Sequence, residues 1–189
     1  MTTRRGFLAQ AGGALALAGT ASRRARGARP TAGGSGVSPL RPERPITIAR
    51  TGCGFEREPM VRPFGFKGGY LTEEWIVSAY LGSTSGKHGI GLGTQSCLWS
   101  DAKVFASTSE AGGNAFMFAM TQYALKLAEG MTFRSPLELC DALWPQVLEY
   151  GKKVTANPAL RATFALNALV SVDAAAWVLY ARERLLTFP

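Results

Sequence analysis

Histidine occurs once in this chain, at His88, and cysteine three times, at Cys53, Cys97 and Cys140. That scarcity excludes several chemistries. No Cys-x-x-Cys pair and no Cys/His spacing suited to zinc is present. An odd number of widely spaced cysteines is not a disulfide framework. A Cys53–Cys97 bridge is conceivable in an oxidising compartment, but buried free thiols are the simpler expectation. His88 sits beside a turn and has no nearby acid, serine or cysteine partner in the sequence, so a surface position is expected for it. The Gly-x-Ser-x-Gly turn of many hydrolases is absent. A small hydrolase using Ser96 or Ser100 as nucleophile is therefore poorly supported. No internal repeat is visible.

A second shortage concerns charge. The net charge is +8, which suggests nucleic acid until it is located. Residues 1–62 hold eleven Lys/Arg against Glu43, Glu56 and Glu58, while residues 63–189 hold ten basic and ten acidic residues. The excess therefore lies wholly in the N-terminal third, and a groove that tracks phosphates is not expected.

What is present begins with a targeting segment over residues 1–21. Thr3-Arg-Arg-Gly-Phe-Leu8 resembles the twin-arginine export signal, and the apolar stretch Ala9–Ala21 follows it. That stretch is too short and too weakly apolar for a stable membrane span. Small residues around Ala16–Ala18 and Ala21 offer cleavage points. The implied partner is the twin-arginine translocase, and the implied location is the periplasm or another exported site. Residues 22–45, rich in Arg, Gly, Ser and Pro, read as a disordered linker.

Residues 46–189 read as one α+β domain, a three-stranded antiparallel sheet followed by a helical bundle. Ile46–Arg50 is a short strand candidate. Thr51–Gly69 mixes Gly, Pro and aromatics without a period and reads as a long loop, of the kind that often carries function. Tyr70–Leu81 contains the β-prone run Trp75–Leu81. Gly82–Gly86 is a turn cluster, and Lys87–Leu98 alternates Gly with apolar residues, as in a strand whose other face is closely covered. Phe116, Met120, Tyr123, Ala124 and Leu127 then share one helical face ending at Gly130. Ser135-Pro-Leu-Glu138 is a capping box with Pro at the first helical position. It opens a helix through Leu139, Leu143, Val147 and Tyr150 to Gly151, with a kink expected at Pro145. A third helix starts after Asn157-Pro158 and runs to about Arg184. Its apolar part, Asn167–Tyr180, is followed by nine residues.

This order resembles the N-terminal capping domain of the enolase superfamily, most of all its mandelate racemase and muconate-lactonizing branch. The features that carry the resemblance are the Gly-rich strand Gly89–Gln95, the stretch Phe64–Glu73 and Asp173–Trp177 on the last helix. The resemblance covers roughly residues 46–186. It implies a chain without its C-terminal barrel, the domain that holds Mg²⁺ on carboxylates and supplies the acid/base groups. No position here matches a barrel catalytic residue, so no catalytic and no metal residue is expected in this chain, and it should be inactive alone. The complete enzyme would be a racemase, epimerase, dehydratase or cycloisomerase acting on a small carboxylate. The missing barrel, in the same or a separate chain, is the implied partner. A cap of this kind lays two loops over the barrel mouth, which map here to Thr51–Gly69 and Ser96–Asn114.

The resulting substrate-loop candidates are Phe64, Phe66, Lys67, Tyr70, Ser100 and Asp101. Lys67 could meet a substrate carboxylate or be a solvated lysine. Phe64 and Phe66 could form a lid or pack on the core. Asp101 is as well suited to capping the next helix. Glu73 and Glu74 are adjacent and should point to opposite faces of a strand, a poor arrangement for an acid/base pair. Asp173, on an apolar helix, needs a partner such as a backbone amide or an Arg. Trp144 and Trp177 read as core. The alternative to a cap is a stand-alone exported module that binds a small ligand or a protein through Phe64–Tyr70.

Overall fold

The structure, a computed structural model, describes residues 44–185. The targeting segment over residues 1–21 and nearly all of the linker assigned to 22–45 lie outside the described residues. The chain forms β1 (Ile46–Phe66), β2 (Gly69–Ser83), β3 (His88–Gln95), α1 (Cys97–Ser100), α2 (Ala102–Thr108), α3 (Glu110–Ala128), β4 (Thr132–Phe133), α4 (Pro136–Val154) and α5 (Ala162–Arg184). The sheet is antiparallel, in the order β3-β2-β1-β4. The α+β class stands. The sheet has four strands rather than three, because Thr132 and Phe133 pair with Thr47 and Ile46 after α3. Two residues give no periodicity to read, so this short strand is invisible in sequence.

β2 alternates as a half-buried strand should. Trp75, Val77, Ala79 and Leu81 are buried on one face, while Ile76 on the other is exposed. Met117, Met120 and Ala124 of α3 and Phe164, Ala168, Val172 and Leu179 of α5 share one core with that face, and Leu139, Leu143 and Val147 of α4 extend it from the far side of α3 and α5. Fully burying a side chain of Leu or Phe size contributes about 1.5–3 kcal/mol. That packing holds α5, whose first turn has no side-chain cap. By length and composition α5 could also cross a membrane, but within the fold it supplies a continuous row of buried core residues.

The largest departure from the sequence reading is at residues 51–69. They are not a loop. β1 continues unbroken to Phe66 and pairs with β2 almost throughout. The strand was hard to read because most of its residues beyond Ile48 are exposed or half-exposed, so no apolar alternation marks it. The register slips between Pro59/Glu73 and Phe64/Leu71, and Met60–Pro63 bulge opposite Thr72. Pro59 and Pro63 bound the bulge, where a missing N–H is tolerated. The hairpin closes on Lys67 and Gly68, with φ of 47° and 81°. A tight two-residue hairpin turn demands such left-handed conformations.

The second expected loop, Ser96–Asn114, is mostly helical. Ser96, Asp101 and Ser109 are the N-caps of α1, α2 and α3, each accepting backbone N–H groups of the following turn. The strand expected to reach Leu98 ends at Gln95, and the last helix begins at Ala162. α4 continues through Pro145 to Val154. Trp177 is 42% exposed, not core. Cys53 is an exposed free thiol, whereas Cys97 is buried and Cys140 half-buried. His88 is exposed, with its ring stacked on Tyr80.

β3 is the outer strand on the side away from β4, and α5 lies across it. Arg182 Nη1 donates to the carbonyl of His88 at 2.8 Å, and Asn167 Nδ2 donates to that of Thr94 at 2.9 Å. Both ends of the strand's outward edge are thereby engaged.

Candidate functional site

The tip of the β1–β2 hairpin folds against the turn that follows β3. Phe64 and Phe66, two residues apart, point the same way with ring centres 6.3 Å apart. Phe66 stacks on Trp99 of α1 at 4.6 Å with the ring planes 16° apart. Stacked aromatic pairs of this kind contribute about 0.5–1.5 kcal/mol beyond their burial, enough to bias where the hairpin rests. Lys67 Nζ donates to the Trp99 carbonyl at 3.2 Å and lies 5.0 Å from the centre of the Phe66 ring. The Lys67 charge is therefore held at the tip.

Further down, Glu110 ties the hairpin to α3. Its two carboxylate oxygens accept from the Thr72 backbone N–H at 2.9 and 3.0 Å, and the Thr72 hydroxyl donates to the same group. Glu73 bridges to Arg57 at 2.7 Å and accepts from Trp75 Nε1 at 2.9 Å. Burial pushes the Glu73 carboxyl up, but the hydrogen bonds from Arg57 and Trp75 and the Arg57 charge outweigh it and hold the group below its ordinary value.

Between hairpin and turn lies a pocket of about 450 Å³. Met60, Phe64, Leu71 and Glu74 line it from the hairpin; Thr94, Ser96, Trp99 and Asn167 line it from the other side. Asn167 is the joint of that second wall. Its Oδ1 accepts from the Ser96 backbone N–H and from Ser100 Oγ, each at 3.0 Å, while its amide holds Thr94. The lining offers aromatic and aliphatic walls, one carboxylate, two hydroxyls and an amide. It can enclose and orient a small molecule. Among the described residues that line it, Glu74 is the one acid or base, so no proton-shuttling pair faces it there.

Of the sequence candidates, Phe64 lines this pocket, and Phe66 and Lys67 brace its rim. Tyr70 is 66% exposed and covers Gly65 across the hairpin, where a Cβ would meet the Tyr70 ring at 3.4 Å. Ser100 and Asp101 are buried. Ser100 Oγ donates to Asn167, and Asp101 accepts from the backbone N–H groups of Lys103, Val104 and Arg161. Glu73 and Glu74 do diverge, Glu73 toward Arg57 and Glu74 toward the pocket. Asp173 accepts from the Cys140 thiol at 3.3 Å rather than from an amide or an Arg.

Trp99, Met60, Leu71, Glu74, Thr94 and Asn167 escaped the sequence reading. Asn167 carried a signal, since an amide within an apolar helix requires partners. Trp99, 59% exposed next to a strand end, carried another.

The chain's fit to Mg²⁺ is poor. Among the described residues, no three His, Cys, Asp or Glu side chains gather as a metal site. The buried Asp101 already receives three N–H donors, and no step is assigned to a metal within this chain.

No protein-family model and no curated protein matches the chain. Solved structures do show likeness. L-talarate/galactarate dehydratase from Salmonella typhimurium LT2 is 17% identical over 87% of this chain and 35% of its own, with a TM-score of 0.48. L-talarate dehydratase from Polaromonas sp. JS666, solved with Mg and L-glucarate, is 18% identical over 74% of this chain and 32% of its own, with a TM-score of 0.46. A mandelate racemase/muconate lactonizing protein from Herpetosiphon aurantiacus is 13% identical over 73% and 32%, with a TM-score of 0.41. These neighbours are enolase-superfamily members. The chain spans about a third of their length. Identities and overlaps of this size carry neither substrate nor mechanism across.

Proposed function

We propose that this chain is the capping, substrate-selecting part of a mandelate racemase/muconate-lactonizing-like enzyme that acts on a small carboxylate. The observation that carries the proposal is the convergence of the hairpin tip and the β3–α1 turn on one pocket that has walls but no proton-shuttling pair. Such a surface selects and shields a substrate. The chemistry then belongs to a barrel, in the same or a separate chain, which would hold Mg²⁺ and supply the groups for a racemase, epimerase, dehydratase or cycloisomerase reaction. Phe64 and Trp99 exclude water, and Glu74, Thr94 and Asn167 supply polar contacts. Export through the twin-arginine pathway is part of the same proposal and rests on Arg4 and Arg5.

The test pairs the full chain with a barrel encoded beside it, read from the neighbouring DNA. Mg²⁺-dependent exchange of α-protons is followed over a panel of carboxylic acids. Exchange is expected only with both parts present, and Phe64→Ala with Trp99→Ala should change which acids react. Turnover by this chain alone, lost when its own carboxylates are replaced, would overturn the proposal.

One observation favours a second reading, a stand-alone exported binding module. The core closes on itself, with Ile48, Leu81, Met120, Phe164 and Leu179 fully buried. Calorimetric binding of a small carboxylate to the chain alone, at an affinity that an added barrel leaves unchanged, would select this reading.

A further inference from the structure

The outward sides of α4 and α5 leave a groove that the hairpin pocket does not include. It has a volume of about 460 Å³ and is lined by Cys140, Asp141 and Trp144 of α4 and by Leu166, Val170 and Asp173 of α5, among others. Leu166 is 49% exposed, and Val170 and Trp177 are each 42% exposed. Along α5, Leu166, Val170, Asp173 and Trp177 follow one another at spacings of four, three and four residues. That is the seam spacing by which one helix receives another. Exposed apolar side chains aligned on one face, with polar groups at the rim, mark an interaction surface.

The polar groups say what kind of partner fits. Asp141 and Asp173 line the groove. Neither has a cationic partner within ion-pair distance among the described residues, where the ion pairs are Arg57–Glu73, Lys87–Glu183, Arg134–Glu138 and Lys152–Glu149. The Cys140 thiol donates to Asp173. Burial and the neighbouring Asp173 push that thiol up to about 12, so it adds no negative charge of its own near neutral pH. The groove is thus apolar with two carboxylates awaiting cations.

We propose that the α4–α5 groove docks an amphipathic helix of a partner protein, with apolar side chains at i, i+4 and i+7 and Lys or Arg beside them. Complementary charge of this kind chooses the partner and its register. The same carboxylates repel an anionic lipid surface. A two-fold pairing with a second copy would bring two grooves of the same negative sign together. The proposal is independent of the capping role, since no residue named here lines the hairpin pocket.

The test titrates the full ¹⁵N-labelled chain with a synthetic helical peptide of Leu and Lys in this pattern, and with its Leu/Glu counterpart. The indole N–H signals of Trp75, Trp99, Trp144 and Trp177 are the readout. The expected result is saturable movement of Trp144 and Trp177 with the Lys peptide and at least tenfold weaker binding of the Glu peptide (about 1.4 kcal/mol). Asp141→Asn with Asp173→Asn should weaken the Lys peptide about tenfold. Asp141→Lys alone, at an exposed position, should weaken it too while leaving the folded spectrum intact. The proposal is overturned by equal binding of the two peptides, or by unchanged affinity in these variants. It is overturned equally by shifts centred on Trp99, by a self-associated chain whose groove is already filled, or by phosphatidylglycerol vesicles moving the same indoles.

Discussion

Gly91 of β3 lies directly against the backbone of Ala175 in α5: a Cβ built on Gly91 would overlap the Ala175 nitrogen. Gly89 meets the Ala175 carbonyl oxygen in the same way, and a Cβ on Gly93 would come within 2.8 Å of the Ser171 nitrogen. The obstacles are backbone atoms, which cannot swing aside as a side chain can. Gly91→Ala should therefore push α5 off the sheet. Overpacking of this kind costs about 1–3 kcal/mol, readable as a lowered urea midpoint. A variant as stable as the parent would show that α5 does not rest on β3 as described.

Glu110 is the tie between hairpin and α3. Glu110→Ala leaves the Thr72 N–H and hydroxyl without their acceptor, and hydrogen bonds to a charged group are worth about 1.5–3 kcal/mol. Hydrogen exchange should quicken at Thr72 and through the hairpin above it, while the amides of β3 keep their protection. Uniform loss of protection across the sheet would mean that the hairpin is not a separable unit.

Two carboxylates make the fold sensitive to acid. Glu73 and Glu183 are both pushed up by burial. For Glu73 the Arg57 and Trp75 contacts overcome this; for Glu183 the Ser83 and Ser85 hydroxyls and the charges of Lys87 and Arg184 do so. Both therefore stay below their ordinary values in the folded chain. Their stabilisation is fully present above the unfolded carboxylate value and is lost as pH falls through the folded one. Thermal midpoints should hold steady from neutral pH to about pH 5 and decline below about pH 4. Glu73→Gln with Glu183→Gln should lower the neutral-pH midpoint and flatten the acid decline. A parental acid profile in that variant would refute the assignment.

The thiols should react in a fixed order. Burial and nearby acids push Cys97 and Cys140 up to about 12; burial raises the Cys53 thiol as well, but Cys53 is the exposed one of the three. Iodoacetamide at about pH 8 should label Cys53 first, and mass spectrometry of the folded chain should find the other two unmodified. Equal labelling of all three would contradict the packing around Cys97 and Cys140.

The parts legible in the sequence were those whose local pattern matches their surroundings. β2 alternates because one face is buried. The Gly-rich third strand announced a close neighbour, and α5 is that neighbour. Ser135 and Glu138 announced the start of α4: the Glu138 backbone N–H donates to Ser135 as a capping box requires, while the Glu138 carboxylate reaches one residue further back and accepts from the Arg134 N–H rather than from that of Ser135. The hairpin arm was illegible because β1 is paired to β2 yet exposed along most of its length, so its strand character comes from a partner rather than from burial. The pocket was half legible for a related reason. Phe64 and Phe66 draw the eye in any sequence, but Trp99 and Asn167 join them only through chain crossings that spacing does not encode.

The engagement of the two end carbonyls on the outward edge of β3, by Arg182 at His88 and by Asn167 at Thr94, bears on strand addition. A foreign strand approaching this edge finds those terminal acceptors already occupied, with α5 packed on the face beside them. Pairing would have to begin at Ile90 and Leu92, between two ends that are already taken.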